Sequence, residues 1–280
     1  MFLDLLQNLS LLPIFAASVA LTLLMTWATL FAVRRFWRRW AEAGEPATVK
    51  DVLVTVTSAM FALMMAFTAA GIWNDTLQAR NAVQREAQAL ENVLALATGF
   101  PEDVTRRVRD DIRRYSRLVV ERDWPAMGHK LNMDDQAFVG TDRVLVDLID
   151  LVSAEAEKGS PSPVALTALN QLFEARSARL LRLTLSDSGV SNAQWISMVL
   201  LFACALALTA IVHNQNYRGQ MVATHLYALA SAAAFFVVLA HDRPFAGGIA
   251  IKPTPLLLLA TRTDAAAASG PGMADAAPQR

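Results

Sequence analysis

Residues 52–97 read VLVTVTSAMFALMMAFTAAGIWNDTLQARNAVQREAQALENVLALA, and this stretch decides the architecture. Its apolar part, Val52 to Trp73, supplies about the 20 residues that a membrane helix needs, and no turn signal separates it from the adjoining polar stretch. A membrane helix is therefore expected to continue outward as the first helix of a soluble bundle. Within the apolar part, Ser58, Ala62, Ala66 and Ala70 recur every fourth residue and share one face, where small side chains let a neighbouring helix approach closely in lipid. That face is expected to be a packing seam. Past the membrane the apolar register continues as Trp73, Val83, Ala87, Leu90, Leu94 and Ala97, with Thr76 and Arg80 on the same stripe nearest the bilayer. This register predicts a cation, Arg80, on the inward side.

Working outward, residues 5–33 are uncharged, and a first membrane helix is expected from about Leu11 to Val33, with Pro13 tolerated in its first turn. It ends in RRFWRRW, where Arg34, Arg35, Arg38 and Arg39 stand beside Trp37 and Trp40, the composition of a cytoplasmic membrane boundary. This places the loop to Asp51 inside, and the N-terminus and the long polar segment outside, in a multi-pass membrane protein. Two further apolar runs, about 195–212 and 221–240, complete a set of four membrane helices. The last of them repeats the small-residue face at Thr224, Ala228 and Ala232 and carries His225 within its apolar run, where polar groups are costly and often functional.

The polar segment, 74–191, divides at breakers into four helices. Gly99 and Pro101 stop the first; the second runs from about Glu102 to Arg122 with Val104, Val108, Ile112, Tyr115 and Val119 on one face, and Trp124, Pro125 and Gly128 end it. The third spans about Asp134 to Glu157 with Phe138, Leu145, Leu148 and Val152 inward, closed by Gly159. Ser162 and Pro163 form a cap and first-turn pair for the fourth, whose expected inward stripe is Leu166, Leu169, Phe173, Leu180 and Leu183, with Arg176 on the same face. No alternating strand pattern occurs. The fold class is therefore all-α: four transmembrane helices, with a four-helix soluble bundle inserted between the second and third. The domains are 1–73, 74–191, 192–240 and a C-terminal segment, 241–280, whose LLLLA run is too short to span and whose Ala-, Gly- and Pro-rich end is expected to be disordered after about Thr263.

The chain carries 25 basic and 25 acidic residues, so nucleic acid is not an expected partner, and its 54% hydrophobic content points to the lipid bilayer instead. Cys204 is the sole cysteine and can close no internal disulfide. There is no nucleophile motif, phosphate loop or metal-spaced Cys/His set, so no enzyme activity, cofactor or metal is expected; His213, His225 and His241 stand too far apart in sequence to form a site without a coincidence of packing. The stronger constellation lies at the membrane-proximal end of the bundle. There Asp75, Arg80 and Glu86 of its first helix are expected to approach Arg176, Arg179 and Arg182 of its fourth, because both helices join membrane segments and pack antiparallel. Salt bridges across the junction are one reading, and a charged vestibule that concentrates an ion is the other. Unpaired arginines would favour the vestibule.

The ordered set Trp73, Ala79, Glu86 with Ala87, Tyr115, Asp123 with Trp124 and Pro125, then Pro244 and Phe245, resembles the pattern of the bestrophin-like domain family of bacterial four-helix membrane proteins. The resemblance covers about residues 52–255. Asp123 stands where the pattern leads one to expect a glutamate, so the acid is kept and shortened. The resemblance implies kinship with pentameric anion channels whose second membrane helix lines an apolar, aromatic neck, which here makes Phe61, Met64, Phe67 and Thr68 the pore-lining candidates, a homo-oligomer the assembly and an inorganic anion the partner. It also implies a cytosolic helical domain, opposite to the side that the arginine cluster predicts. Two functions are expected from this reading: an oligomeric ion channel or transport-related protein, or a non-catalytic membrane scaffold or sensor whose helical domain binds a ligand or partner.

Overall fold

The computed structural model describes residues 11–41, 51–128, 136–158 and 162–268. Among these residues there is no strand. In chain order the helices are α1 (Leu11–Ala41), α2 (Asp51–Ala97), α3 (Glu102–Leu118), a π-turn (Val119–Asp123), α4 (Trp124–Gly128), α5 (Gln136–Ala156), α6 (Pro163–Ser186), α7 (Asn192–Val212), α8 (Tyr217–His241) and α9 (Thr254–Ala268). The loop before Asp51, the residues around Asp134 and Asp135, and Gly159 lie outside the described residues. Four helices, α1, α2, α7 and α8, are long and apolar enough to cross a membrane. The chain divides into two compact units, one of 1–76, 188–243 and 247–249, the other of 77–187, 244–246 and 250–280. α2 is one uninterrupted helix of 47 residues that contributes to both.

In the first unit, α1 packs most extensively on α8, and the reason is side-chain size. Ser18, Thr22 and Thr26 of α1 are buried, as are Thr224, Ala228, Ser231 and Ala232 of α8. Each α1 hydroxyl bonds back to its own helix, at the carbonyls of Ile14, Ser18 and Thr22, so no polar group is left bare where water is absent. The expected small-residue face of α8 is thus filled. That of α2 is not: Ala62, Ala66 and Ala70 remain exposed. The opposite face of α2, with Phe61, Met65 and Ile72, joins Met198, Phe202 and Leu206 of α7 and Val238 of α8 in a common core. α7 begins with a capping box in which Ser191 and Gln194 satisfy each other's backbone N–H groups.

In the second unit, the second half of α2, α3, α5 and α6 surround a core that includes Leu90, Val93, Val108, Ile112, Leu145, Leu148 and Leu172. Ser162 caps α6 with Pro163 in its first turn, as its sequence predicts. The inward face of α6 is different from the predicted stripe. Ala165, Ala168, Leu172, Ala175, Arg179, Arg182 and Leu183 are buried, whereas Leu166, Phe173 and Leu180 are 49%, 53% and 51% exposed. Alanines let α6 approach the core closely, and two arginines share that face; a reading by hydropathy excludes arginine and therefore turns the helix to its leucines. In α2 the expected Val83, Ala87, Leu90 and Ala97 are buried, but so are Ala79, Ala82 and Glu86, and Arg80 is exposed. The inward cation expected at Arg80 is absent because a buried glutamate occupies the inner face.

The second helix of the bundle also ends differently. Pro125 has no N–H to offer the carbonyl of Glu121 and its ring crowds that carbonyl, so the α-ladder gives way to a π-turn in which the Trp124 N–H bonds the Val119 carbonyl. The extra residue rotates the chain beyond it, and Asp123, Ala126 and Met127 are buried. Finally, the LLLLA run lies in α9, which sends Leu256 and Leu259 into the bundle core. α9 runs on to Ala268, past the expected onset of disorder at Thr263, whose hydroxyl is buried and bonded to the Leu259 carbonyl.

Candidate functional site

Two sets of residues are candidates, and they belong to different units. The first is the membrane half of α2. Of its expected pore-lining residues, Phe61 is 6% and Thr68 4% exposed. Phe61 sits among Phe202, Tyr227 and Phe235 at ring separations of 5.9, 6.4 and 5.8 Å, and the Thr68 hydroxyl bonds the Met64 carbonyl at 2.9 Å. Both point into the core of their own chain, Phe61 against α7 and α8. Met64 is half-buried at the edge of the same core. Phe67 is 69% exposed and keeps its candidacy; Val56, Met60 and Leu63, which the sequence reading did not single out, are exposed on the same side at 52%, 56% and 57%. The reason is helical geometry: Phe61, Met65, Thr68 and Ile72 step by three and four along one face, and Phe67 lies across from them.

The second set is charged. Arg182 forks onto Glu86, Nε to Oε2 at 2.7 Å and Nη2 to Oε1 at 3.0 Å, and the same Oε1 accepts the Tyr115 hydroxyl at 2.5 Å. Arg179 donates through Nη1 to Asp123 and through Nη2 to the Phe138 carbonyl at 2.9 Å. The other Asp123 oxygen accepts the Thr141 hydroxyl at 2.8 Å, and Arg182 Nη2 lies 3.5 Å from Asp123 Oδ2, which joins the two pairs. Trp124 and Met127, delivered by the π-turn, close the site: the Arg182 guanidinium is 5.4 Å from the Trp124 ring centroid and its Nη1 is 3.3 Å from the Met127 sulfur. Glu86, Asp123 and Arg182 are fully buried and Arg179 is 1% exposed. Two carboxylates face two guanidiniums, so the cluster is neutral as a whole. Burial, and then the Glu86 charge, hold the Tyr115 hydroxyl well above its ordinary range, so it stays a donor; burial also pushes the Asp123 carboxyl up, against the pull of Arg179, Arg182 and Thr141.

Of the residues expected at the junction, Glu86 and Arg179 therefore meet in one network together with Arg182. Arg176 is half-buried and pairs with Asp142 at 3.5 Å, and Arg80 is exposed with no ion pair among the described residues. Asp75, in the other unit, is half-buried. The buried Arg179 and Arg182 are paired, with Asp123 and Glu86 respectively. Sequence reasoning about chemistry missed Asp123, Tyr115, Thr141 and Met127, although Tyr115 and Asp123 stood in the set that carried the family resemblance. His225 is half-buried, its Nδ1 2.8 Å from the Met221 carbonyl and its ring edge-on to Trp27 at 5.7 Å. His213 and His241 likewise bond carbonyls of their own helices. Among the described residues no group of metal-ligating side chains converges.

Two segments from the resemblance meet in space. Trp124 stands edge-on to Phe245 at 5.5 Å, and its indole N–H donates to the Ile251 carbonyl at 3.1 Å. Compared with known proteins, residues 16–256 match the family model of the bestrophin-like domain. Solved structures of a bacterial bestrophin homologue from Klebsiella pneumoniae share the fold. A form of it with one leucine replaced by threonine aligns with a TM-score of 0.63 and 14% identity over 90% of this chain and 96% of that one. A second form, with one isoleucine replaced by threonine, aligns with a TM-score of 0.61 and 13% identity over 90% and 98%. No curated protein matches the chain.

Proposed function

The chain belongs to the bestrophin-like family, and from that premise we propose that it is an oligomeric membrane channel or transport-related protein in which the α2 helices of several copies surround the path of an inorganic ion. The observation that carries this reading is the outward face of α2. Val56, Met60, Leu63 and Phe67 are exposed on it, and the exposed Ala62, Ala66 and Ala70 offer a second copy the close approach that membrane helices use. An apolar constriction of this kind gates by how readily water leaves it. Phe67 is the strongest single candidate for the neck. The buried Glu86, Asp123, Arg179 and Arg182 have a different role, fixing α2 to α6 in the helical unit, and the exposed Arg80 is the cation available to an ion outside the membrane. The proposed domain plan keeps the bundle of 74–191 as an insert between membrane helices two and three, and the arginine cluster in the C-terminal turns of α1 supports placing it outside the cell membrane.

Efflux from chloride-loaded vesicles tests this directly. Purified protein reconstituted as an intact oligomer is expected to release chloride well above protein-free vesicles, and oligomers that release neither chloride nor potassium overturn the proposal. The unbroken α2 also suits a sensor that transmits small shifts along one helix. That second reading requires a partner protein, so crosslinking in native membranes that captures only copies of this chain counts against it.

A further inference from the structure

In the membrane unit, α1 and α8 run antiparallel in a register that three contacts fix. The Arg34 guanidinium is 4.5 Å from the centroid of the Tyr217 ring, Trp27 is edge-on to His225 at 5.7 Å, and Phe15 is edge-on to Phe236 at 5.3 Å. The seam between the helices holds Thr26, Leu30, Val33, Gln220, Thr224 and Ala228, all buried. The flank that Trp27 and His225 mark stays open: Phe31 of α1 and Val222 of α8 are 71% and 59% exposed. One turn nearer the helix end stand Arg35 above Phe31 and Arg218 above Val222, both exposed and neither in an ion pair among the described residues. Arg34 is held in place, its Nη2 donating to Gln220 Oε1 at 3.4 Å, and Gln220 is itself anchored by donating from Nε2 to the Ala210 carbonyl at 2.6 Å. Acid is scarce here. α1, α7 and α8 contain no Asp or Glu, and in sequence the cations Arg34, Arg35, Arg38, Arg39, Lys50 and Arg218 outnumber Glu42, Glu45 and Asp51 two to one.

We propose that this flank binds an anionic phospholipid, with its headgroup phosphate held by Arg35 and Arg218 beside the Arg34–Tyr217 pair and one acyl chain laid along Phe31, Trp27, Val222 and His225. Guanidiniums suit a phosphate because their planar forks match its oxygens, and basic clusters beside membrane helices draw anionic lipids. The end of α8 is not itself the attraction, since Asn216 Oδ1 already accepts from the N–H groups of Arg218 and Gly219. The occupant is a lipid rather than a free phosphate because the cations stand over exposed apolar side chains. A free anion gains nothing from Phe31 and Val222, whereas an acyl chain covers both. His225, costly in an apolar run, finds a place in this lane: its Nδ1 stays on the Met221 carbonyl, and its ring packs on Trp27. The proposal concerns lipid selectivity and is independent of conduction.

Native mass spectrometry tests it on the delipidated full chain, titrated in detergent with phosphatidylglycerol or with phosphatidylcholine of the same acyl chains. Phosphatidylglycerol is expected to bind about tenfold more tightly or better, and Arg35→Gln with Arg218→Gln to bring the two lipids within about twofold of each other. Arg35→Lys with Arg218→Lys keeps the charge and is expected to recover most of the preference. Arg106→Gln, which removes an exposed cation of the helical unit, is expected to leave it unchanged. Equal binding of the two lipids by the parent chain overturns the proposal without any variant, and so does a double glutamine variant that keeps the preference. Displacement of phosphatidylglycerol by millimolar inorganic phosphate would make this a site for a free anion and overturn the lipid assignment.

Discussion

Glu86→Ala is expected to cost the detergent-solubilised protein about 3–5 kcal/mol of unfolding free energy, because it strands a buried guanidinium. Arg182 is fully buried, and after the substitution the nearest carboxylate is Asp123, 3.5 Å from Nη2 and already engaged by Arg179 and Thr141. Tyr115 loses its acceptor at the same time. The loss therefore reflects the penalty of an unpaired buried charge more than the worth of the pair. Removing the charges together should be far milder: Glu86→Leu with Arg182→Met and Tyr115→Phe deletes the desolvation cost along with the bonds. A denaturant titration of the three forms separates these terms. If the single variant is as stable as the parent, water reaches the cluster and its burial has been misjudged.

Leu172→Ala is expected to cost about 2–5 kcal/mol, as buried leucine truncations do. Leu172 is fully buried in the core of the helical unit, between Ala168 and Ala175 on the inward face of α6. Leu166→Ala, on the outward face, should stay within about 0.5 kcal/mol when measured on the dissociated chain, so that contact between copies does not enter. The pair of substitutions decides the rotation of α6. The opposite ranking would restore the face that hydropathy alone selects.

That rotation marks where the sequence stopped being legible. The membrane helices, the continuity of α2, and the Ser162–Pro163 start of α6 could be read because they depend on length, apolar content and local backbone chemistry, which act within a few residues. The inward face of α6 and the charged members of α2's inward face could not, because they bury ionised side chains whose cost is cancelled only by partners far away in the chain, Glu86 by Arg182 and Arg179 by Asp123. The π-turn escaped for a related reason: Pro125 signals a break, but only the packed core shows that the chain widens by one residue and carries Asp123 inward. Phe61 and Phe67 are six residues apart and equally apolar, and only the packing of α7 and α8 against one of them tells them apart.

That last distinction is also the most direct test of the central claim, that the outward face of α2 lines the conduction path. Single-channel recording should compare Phe61→Ala and Phe67→Ala in planar bilayers. Phe67→Ala is predicted to change unitary conductance or gating in an oligomer of unchanged size, while Phe61→Ala loosens the membrane core and leaves the conductance of intact channels as it was. A change of conductance in the Phe61 variant with none in the Phe67 variant would contradict the account, as would an intact oligomer that passes no current at all.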